Sequence, residues 1–239
     1  MNQSAYFGLS EGELRELAQL YRAGLGIIAV ASGAAGSGKS TLAAHLAIQA
    51  PRVGLGPMVL MDAARRGGLT QWWDRRRGQK PQLSSLGGAS RLADTVDRLH
   101  DMGAKLVVID TGPDMDDMVE QALAMASLVI IPCRPERNDL FAADMTSEVA
   151  QVLGTKGVFV VSSAIRGGRM SDQIAVELAK HGTVAPITLF RRPEVAETMA
   201  VGQTVLESDP EGDAAKEFEQ LWEYIHERLG KIVQLDFPT

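Results

Sequence analysis

The sequence predicts an α/β protein with a doubly wound, mostly parallel sheet that carries helices on both faces. Short, continuously apolar runs alternate with segments of helical periodicity, and each run has the length of a strand buried on both faces. The composition is that of an ordinary globular protein, with 239 residues of which 45% are hydrophobic and 23% charged. Repeated alternation of strands and helices is typical of parallel sheets, because each crossover helix returns the chain to the same edge.

The predicted elements follow one another without a linker, a repeat or a low-complexity tract. Ser10 and Glu13 form a capping-box pattern, and apolar residues at helical spacing after it predict an amphipathic helix over 10–22. Apolar runs predict strands at 26–32, 57–62, 105–110, 128–133, 157–163 and 185–190. Helical patterns lie at 40–49, 90–102, 138–153, 171–181 and 213–229. We therefore expect one domain over 1–239, with an N-terminal helical extension at 1–24 and a C-terminal helix at 213–230.

The bulk properties favour a cytoplasmic protein. The formal net charge of −6 does not predict a general polyanion binder, although a local patch can still be basic. Cys133 is the single cysteine, so an internal disulfide or a cysteine metal cage is excluded. The N-terminus lacks the pattern of a secretion signal, and no apolar run approaches the roughly 20 residues that span a bilayer.

A phosphate-binding loop is predicted between the first strand and the following helix. Residues 33–40, GAAGSGKS, satisfy the pattern G-x-x-x-x-G-K-[ST] in the strand–loop–helix context that it requires. Glycines let the backbone turn its N–H groups toward phosphates, the helix adds its positive end, and a lysine adds a point charge. A glycine-rich turn without a ligand is the alternative. The predicted nucleotide-binding residues are Gly33, Gly36, Ser37, Gly38, Lys39, Ser40 and Thr41.

Two aspartates end predicted strands at the edge of the sheet where ligands bind. Asp110 closes the run KLVVID, and Asp62 closes VLMD. In phosphate-loop proteins a strand-end aspartate holds Mg²⁺, often through water, and the loop serine offers its hydroxyl to the same ion. We therefore predict Ser40 and Asp110 as magnesium ligands; the alternative is a polar residue that merely ends a strand. Asp114, Asp116 and Asp117 predict the start of a helix.

The chain resembles the ParA/MinD group of deviant Walker-type ATPases, and especially the small ParA-like partition ATPases. The resemblance runs from about 26 to 229 and depends on several stretches in the order of the family. It implies ATP and Mg²⁺ as ligands, an ATP-dependent homodimer that binds DNA without sequence preference, and a ParB-like partner that stimulates hydrolysis. It also implies the positioning of DNA or another large cargo, at the nucleoid or a cell pole of a bacterium. The stretches are AAGSGKST, LMDAARRGGLTQWW, VVIDTGP, LVIIPCRPERNDLFAADMT and RRPEVAETMAVGQTVLE.

The sequence departs from that family where dimer contact and hydrolysis are expected. Ala34 stands where the family has its signature lysine, and Ala35 replaces the first of two glycines. Ala64 replaces the second aspartate of the segment after the second strand, which would help to position the attacking water. We predict binding with slow or partner-stimulated hydrolysis, because loss of such a group slows chemistry by ~10²-fold or more. Arg65 and Arg66 are candidates to replace lost charge. The predicted catalytic residues are Lys39, Asp62 and Asp110.

Other functions remain open at this point. A nucleotide-binding scaffold or regulator without catalysis fits the same losses, whereas a small-molecule kinase or ligase lacks an identifiable substrate insertion. The stretch WWDRRRGQK at 72–80 has two interpretations, a nucleic-acid patch or, as we favour, a helix end with one buried tryptophan and a solvated basic face. By the resemblance, nonspecific DNA contacts are expected at Arg166, Arg169, Arg191 and Arg192.

Overall fold

The computed structural model describes residues 24–64, 67–78, 80–85 and 92–233. The helix predicted at 10–22 and the arginines at 65 and 66 lie outside these described residues. Seven strands form one sheet in the order β3-β2-β4-β1-β5-β6-β7, and all neighbouring pairs are parallel. The predicted doubly wound parallel sheet is confirmed.

The strands and helices alternate along the chain. The strands are β1 (Gly26–Val30), β2 (Met58–Asp62), β3 (Gln82–Ser85), β4 (Leu106–Asp110), β5 (Leu128–Cys133), β6 (Gly157–Val161) and β7 (Thr183–Val184). The helices are α1 (Lys39–Arg52), α2 (Gly68–Asp74), α3 (Leu92–Asp101), α4 (Asp117–Met125), α5 (Arg137–Val152), α6 (Arg169–His181), α7 (Pro193–Ala200), α8 (Val205–Ser208) and α9 (Asp213–Val233). Within these ranges, no helix is both long enough and apolar enough to cross a bilayer.

Successive side chains of each central strand enter two different cores. On one face Ile28 and Val30 pack with α1 and α9, where Trp222 is 1% exposed. On the other face Ile27 and Ala29 pack with α4 and α5. This alternation explains the continuously apolar runs of the sequence, because both faces of the sheet are covered. At roughly 25 cal/mol per Å² of buried apolar surface, these two cores supply the main driving force for folding.

One predicted strand is wrong. The run at 185–190 is irregular chain, and only Thr183–Val184 continues the sheet. Pro186 lies within the run and has no N–H to donate to a ladder, so regular pairing ends before it. The segment nevertheless follows the edge of the sheet, since the Leu189 N–H donates to the Val161 carbonyl over 2.9 Å and Phe190 bridges Ala164.

The structure also contains short elements that the sequence did not predict, among them β3, α2 and α7. Edge strand β3 is polar and short, and helices α2 and α7 are short, so none of them has a strong periodicity. The predicted start of α4 is confirmed, because the Asp116 carboxylate accepts a hydrogen bond from the Val119 N–H over 3.2 Å. The chain leaves β1 toward one face and β4 toward the other, which opens a crevice at their carboxyl ends.

Candidate functional site

The loop after β1 contains two glycines in the left-handed conformation. Gly36 and Gly38 have φ of 76° and 99°, a left-handed conformation that side chains other than glycine rarely adopt. Gly38 is the residue that precedes α1, and no side chain among the described residues caps the first N–H groups of that helix. These donors are therefore available to an anion, in addition to the positive end of the helix dipole.

Lys39 lies inside the loop. Its side chain is buried, and the ammonium Nζ donates to the carbonyl oxygens of Ser32 and Ala34 over 2.9 and 2.8 Å. Burial lowers the pKa of Lys39, while the carboxylate of Asp110 is the strongest of the opposing influences. A charge held between two carbonyl groups is partly satisfied, and an anionic oxygen is a stronger partner for it than a carbonyl oxygen is.

Asp110 is a buried carboxylate without a partner of its own. It is 0% exposed, and neither of its oxygens makes a hydrogen bond of ordinary geometry with the part of the chain that is described. Burial raises the pKa of Asp110 to about 7, the Asp62 carboxylate adds to the rise, and the Ser40 hydroxyl and the Lys39 ammonium oppose it. An orphaned carboxylate of this kind is costly unless a cation or a donor compensates it.

Asp62 ends the neighbouring strand and, unlike Asp110, has several hydrogen-bond donors around its carboxylate. Its carboxylate accepts hydrogen bonds from the Ala64 N–H at 3.0 Å and from the N–H and hydroxyl of Thr70, both at 2.7 Å. The strand register pairs Asp62 with Asp110 across β2 and β4. The two predicted carboxylates are thus brought together. Asp62 is held by hydrogen bonds, whereas Asp110 remains available to a ligand.

The donor set fits a hard divalent cation such as Mg²⁺. Asp110 supplies two buried carboxylate oxygens, and the Ser40 hydroxyl is near enough to oppose the rise in its pKa. A methyl group built on Gly68 would lie 3.4 Å from the Ser40 oxygen, so the start of α2 packs against that hydroxyl. Within the described ranges no three His, Cys, Asp or Glu side chains form a metal cluster. An ion here would need further oxygen ligands from water and from a bound phosphate.

A cavity of about 610 Å³ extends from the phosphate loop along the carboxyl end of β6. It is large enough for a nucleoside, and its wall is mainly apolar with a few polar groups. Ser162, which follows β6, is tied to the loop, because its hydroxyl donates to the Ser37 carbonyl over 2.9 Å. The wall comprises Gly36, Gly38, Thr41, Leu42, Pro132, Ser162, Ser163, Leu189, Phe190, Arg191, Arg192, Pro193, Val195, Ala196 and Phe218.

Sequence reasoning missed most of this wall. Ser163 has a φ of 52°, uncommon for a residue other than glycine, and the chain turns there into the cavity. Leu189 and Phe190 reach the cavity from the segment that the sequence wrongly assigns as a strand, and Pro193 reaches it from the start of α7. The wall is assembled from separate parts of the chain, and the stretches AAGSGKST, LVIIPCRPERNDLFAADMT and RRPEVAETMAVGQTVLE each supply part of it.

Two of the four arginines predicted to contact DNA, Arg166 and Arg192, form ion pairs within the chain. Arg192 pairs with Glu217 at 2.7 Å and with Asp213 at 3.4 Å, and its side chain is 16% exposed. Arg166 lies over the Phe190 ring at 4.7 Å and approaches the same two carboxylates at 3.5 Å. Arg191 is exposed, and the side chain of Arg169 lies outside the description. DNA binding at these residues stays a prediction.

The aromatic and basic stretch at 72–80 matches the interpretation we favoured. Trp72 is 1% exposed and donates from its indole nitrogen to the Gln203 carbonyl over 3.0 Å. Arg76 lies over the Trp72 ring at 4.7 Å and pairs with Glu207 at 2.6 Å, while Arg75 and Arg77 are exposed. One tryptophan is therefore buried, and the remaining basic residues face solvent.

The sheet, the loop and the helix that follows it define the fold of a P-loop nucleotide-binding protein. Comparisons with known proteins agree with this. The septum site-determining protein MinD from Pyrococcus horikoshii, solved with Mg-ADP, matches 88% of this chain and 100% of its own, with a TM-score of 0.72 and 15% identity. A variant of McdA from Cyanothece, solved with ATP, matches 87% of this chain and 97% of its own, with a TM-score of 0.68 and 17% identity.

A sequence relative points to the same group. The protein ParA from Rhizobium radiobacter is 31% identical over 116 residues, which are 47% of this chain and 50% of that protein. The match thus spans about half the length of that relative. No protein-family model matches the chain. The chain is a ParA/MinD-like P-loop protein in fold, as the resemblance of its sequence predicts.

Proposed function

We propose that the chain binds ATP with Mg²⁺ and acts as a ParA-like positioning ATPase. The observation that carries the proposal is the juxtaposition of three features at one edge of the sheet. In the described chain, these are a helix start without a side-chain cap behind two left-handed glycines, a buried lysine inside the loop, and the Asp110 carboxylate, which accepts no hydrogen bond of ordinary geometry. Each is unfavourable alone, and a magnesium-bound polyphosphate compensates all three.

The choice of a nucleotide as the ligand follows from the two parts of the site, which are the phosphate loop and the neighbouring cavity. The loop amides and Lys39 bind the phosphates, while Thr41 at the start of α1 faces the cavity that accepts the nucleoside. Ser40 and Asp110 hold the cation, which when bound neutralises charge on the phosphates and makes the terminal phosphoryl group more electrophilic. The relatives solved with Mg-ADP and with ATP support this choice of ligand.

We propose slow hydrolysis, because no carboxylate on the segment after β2 is free to take a proton from water. Asp62 already accepts three hydrogen bonds from its own chain, and Ala64 offers only its backbone. Asp62 is therefore assigned to holding Ala64 and Thr70 in place beside the loop. The methyl groups of Ala34 and Ala35 supply no charge to balance the phosphates, which also supports a low rate.

The larger assembly is proposed on the strength of the resemblance and of the ParA relative. ATP would favour a homodimer, the dimer would bind DNA without sequence preference, and a ParB-like partner on the cargo would stimulate release. A cytoplasmic location at the nucleoid or a pole follows from that cycle. A single domain over 1–239 remains the proposed organisation.

One observation favours a second candidate, a nucleotide-binding scaffold without turnover. Ala64 removes a carboxylate while Asp62 already accepts three hydrogen bonds from its own chain, so ATP can remain bound and unhydrolysed. No comparable observation favours a small-molecule kinase.

The two candidates separate in three measurements on the purified chain with Mg-ATP. Phosphate release should be slow, faster with DNA and a partner, and elevated in an Ala34→Lys, Ala64→Asp double variant if the missing groups limit turnover. Light scattering with and without ATP reports dimerisation, and a DNA filter assay reports cargo binding. Binding without any phosphate release, unchanged in the double variant, would support the scaffold and contradict the ATPase.

A further inference from the structure

A second cation lies against the phosphate loop, on a segment far from it in sequence. Arg134 follows the last residue of β5, and its Nη2 donates to the Ala35 carbonyl over 3.3 Å. A methyl group built on Gly36 would lie 3.7 Å from its Nη1 atom. The guanidinium therefore covers the exposed outer side of the loop at 35–36, whereas Lys39 lies on the inner side.

Asp139 fixes the orientation of this guanidinium. Its carboxylate is 2% exposed and accepts from the Nε and Nη2 atoms of Arg134 over 2.7 and 2.8 Å. This two-pronged ion pair holds one edge of the planar group, a geometry that lysine cannot reproduce. The same carboxylate also accepts from the Arg134 N–H over 3.3 Å, so backbone and side chain are positioned together.

The other edge of the guanidinium remains available to a ligand. Among the described residues, the ion-pair partner of Nη1 is Glu136, at a loose 3.7 Å and with a side chain 59% exposed. Such an exposed pair contributes little and is readily replaced. A phosphate oxygen at the loop offers Nη1 a stronger, charge-assisted hydrogen bond.

The charge of Arg134 reaches the centre of the cradle. Arg134 lowers and Asp139 raises the pKa of Lys39, although burial and Asp110 have larger effects. Arg134 is not part of the wall of the nucleoside cavity. Arg134 lies near the end of the loop that contains Lys39 and faces Asp110. In phosphate-loop proteins the lysine and the magnesium ligands at this end contact the outer phosphates.

We propose that Arg134 is a phosphate-binding residue that contacts the outer phosphate of a bound nucleoside triphosphate through its free Nη1 edge. It thereby replaces, within the same chain, a positive charge that Ala34 and Ala35 do not supply. The proposal rests on the proposed nucleotide binding. It adds a residue that distinguishes triphosphate from diphosphate.

The test compares the dissociation constants of Mg-ATP and Mg-ADP for the full chain by calorimetry. An Arg134→Met, Asp139→Asn double variant removes the charge without leaving a buried unpaired carboxylate. We expect its ATP affinity to fall by at least about 10-fold and its ADP affinity by no more than about 3-fold, since one charge-assisted contact to the outer phosphate is lost. Arg134→Lys should retain an intermediate ATP affinity, and melting curves verify folding of both variants.

Arg137→Ala is the matched control, because this arginine is exposed and lies three residues after Arg134, at the first residue of α5. Its ATP and ADP affinities should both stay within about 2-fold of wild type, as the loss of a remote surface charge is screened. An unchanged ATP affinity in the double variant would overturn the role of Arg134, as would equal losses for ATP and ADP. A wild-type protein that binds no nucleotide would contradict the proposed function as well.

Discussion

Replacing Asp110 with asparagine should stabilise the metal-free protein and strongly reduce the stability that it gains from magnesium nucleotide. The carboxylate is fully buried and has no hydrogen-bond partner of ordinary geometry in the described chain. Asparagine has nearly the same shape and no charge, so the variant removes the cost of an isolated charge and leaves the packing intact. A charged group that a protein keeps for binding a ligand often lowers the stability of the ligand-free protein. Replacing that group therefore makes the ligand-free protein more stable.

The magnitude follows from the pKa of Asp110, which burial raises from the ordinary value of 3.8 to about 7. Between these values the folded protein holds a proton that the unfolded chain has released, so stability falls as pH rises through this window. At about 1.4 kcal/mol per unit, the wild type loses about 4 kcal/mol by pH 8. The variant should therefore be more stable by about 2–4 kcal/mol at pH 8, after the desolvation of its amide, and about equal near pH 4.

The assay is urea unfolding at pH 4, 6 and 8 in EDTA, followed by thermal melting at pH 8 with and without Mg-ATP. Wild type should gain stability from saturating Mg-ATP, by about 2.7 kcal/mol at 100 times the dissociation constant. Asp110→Asn should gain much less, because a ligand of the ion is missing.

Asp62→Asn is the matched control on the neighbouring strand. Its three accepted hydrogen bonds make the carboxylate a stabilising group, so we expect a loss of about 1–3 kcal/mol at pH 8. A loss of stability in Asp110→Asn at pH 8, or a gain that does not depend on pH, would refute the reasoning.

The remaining predictions concern the framework behind the site. Gly202→Ala should cost at least about 2 kcal/mol in urea unfolding, because φ is 74° and its Cβ would lie 2.6 Å from the Arg75 carbonyl carbon. Gly154→Ala, with the same φ of 74° and open space around it, should cost only about 1 kcal/mol, and equal costs would contradict the close approach. His45 is buried and neutral, with Nδ1 2.7 Å from the Thr41 carbonyl oxygen, and burial lowers its pKa to about 4. Since the unfolded imidazole takes up a proton below about pH 6.5, stability should fall by about 3 kcal/mol between pH 6.5 and 4. Asp110 has the opposite effect on stability as the pH falls, so the test uses an Asp110→Asn background. There, His45→Gln should flatten the dependence of the unfolding free energy on pH between 6.5 and 4. An unchanged dependence would exclude His45 as its source.

The sheet and the loop could be predicted because their signals are local. Each strand buried on both faces leaves an apolar run, and the loop needs residues 33–40 alone to be recognised. The segment at 185–190 has the same apolar character as a strand, and Pro186 was the warning that its N–H groups could not complete a ladder.

The hydrogen bonds and ion pairs of the site could not be predicted, because they join residues that are distant in sequence. Asp110 and Asp62 end apolar strands in the same way. Among the described residues, none makes a hydrogen bond of ordinary geometry to Asp110, whereas Asp62 accepts three from Thr70 and the Ala64 amide. Arg134 meets a loop 99 residues earlier in the chain. The sequence pattern shows that a positive charge is missing at Ala34, but it does not show that Arg134 contacts the loop. The replacements that the pattern suggests, Arg65 and Arg66, lie outside the described residues.

The central claim, that the loop amides and Lys39 bind a nucleoside triphosphate, is tested most directly by calorimetric titration of the purified chain with ATP in Mg²⁺. The account predicts saturable binding of one nucleotide per chain. Lys39→Ala should weaken it by about 10-fold or more, because a buried charge-assisted contact to phosphate is lost. Wild-type protein that is folded by circular dichroism and yet takes up no ATP at millimolar concentration would contradict the account.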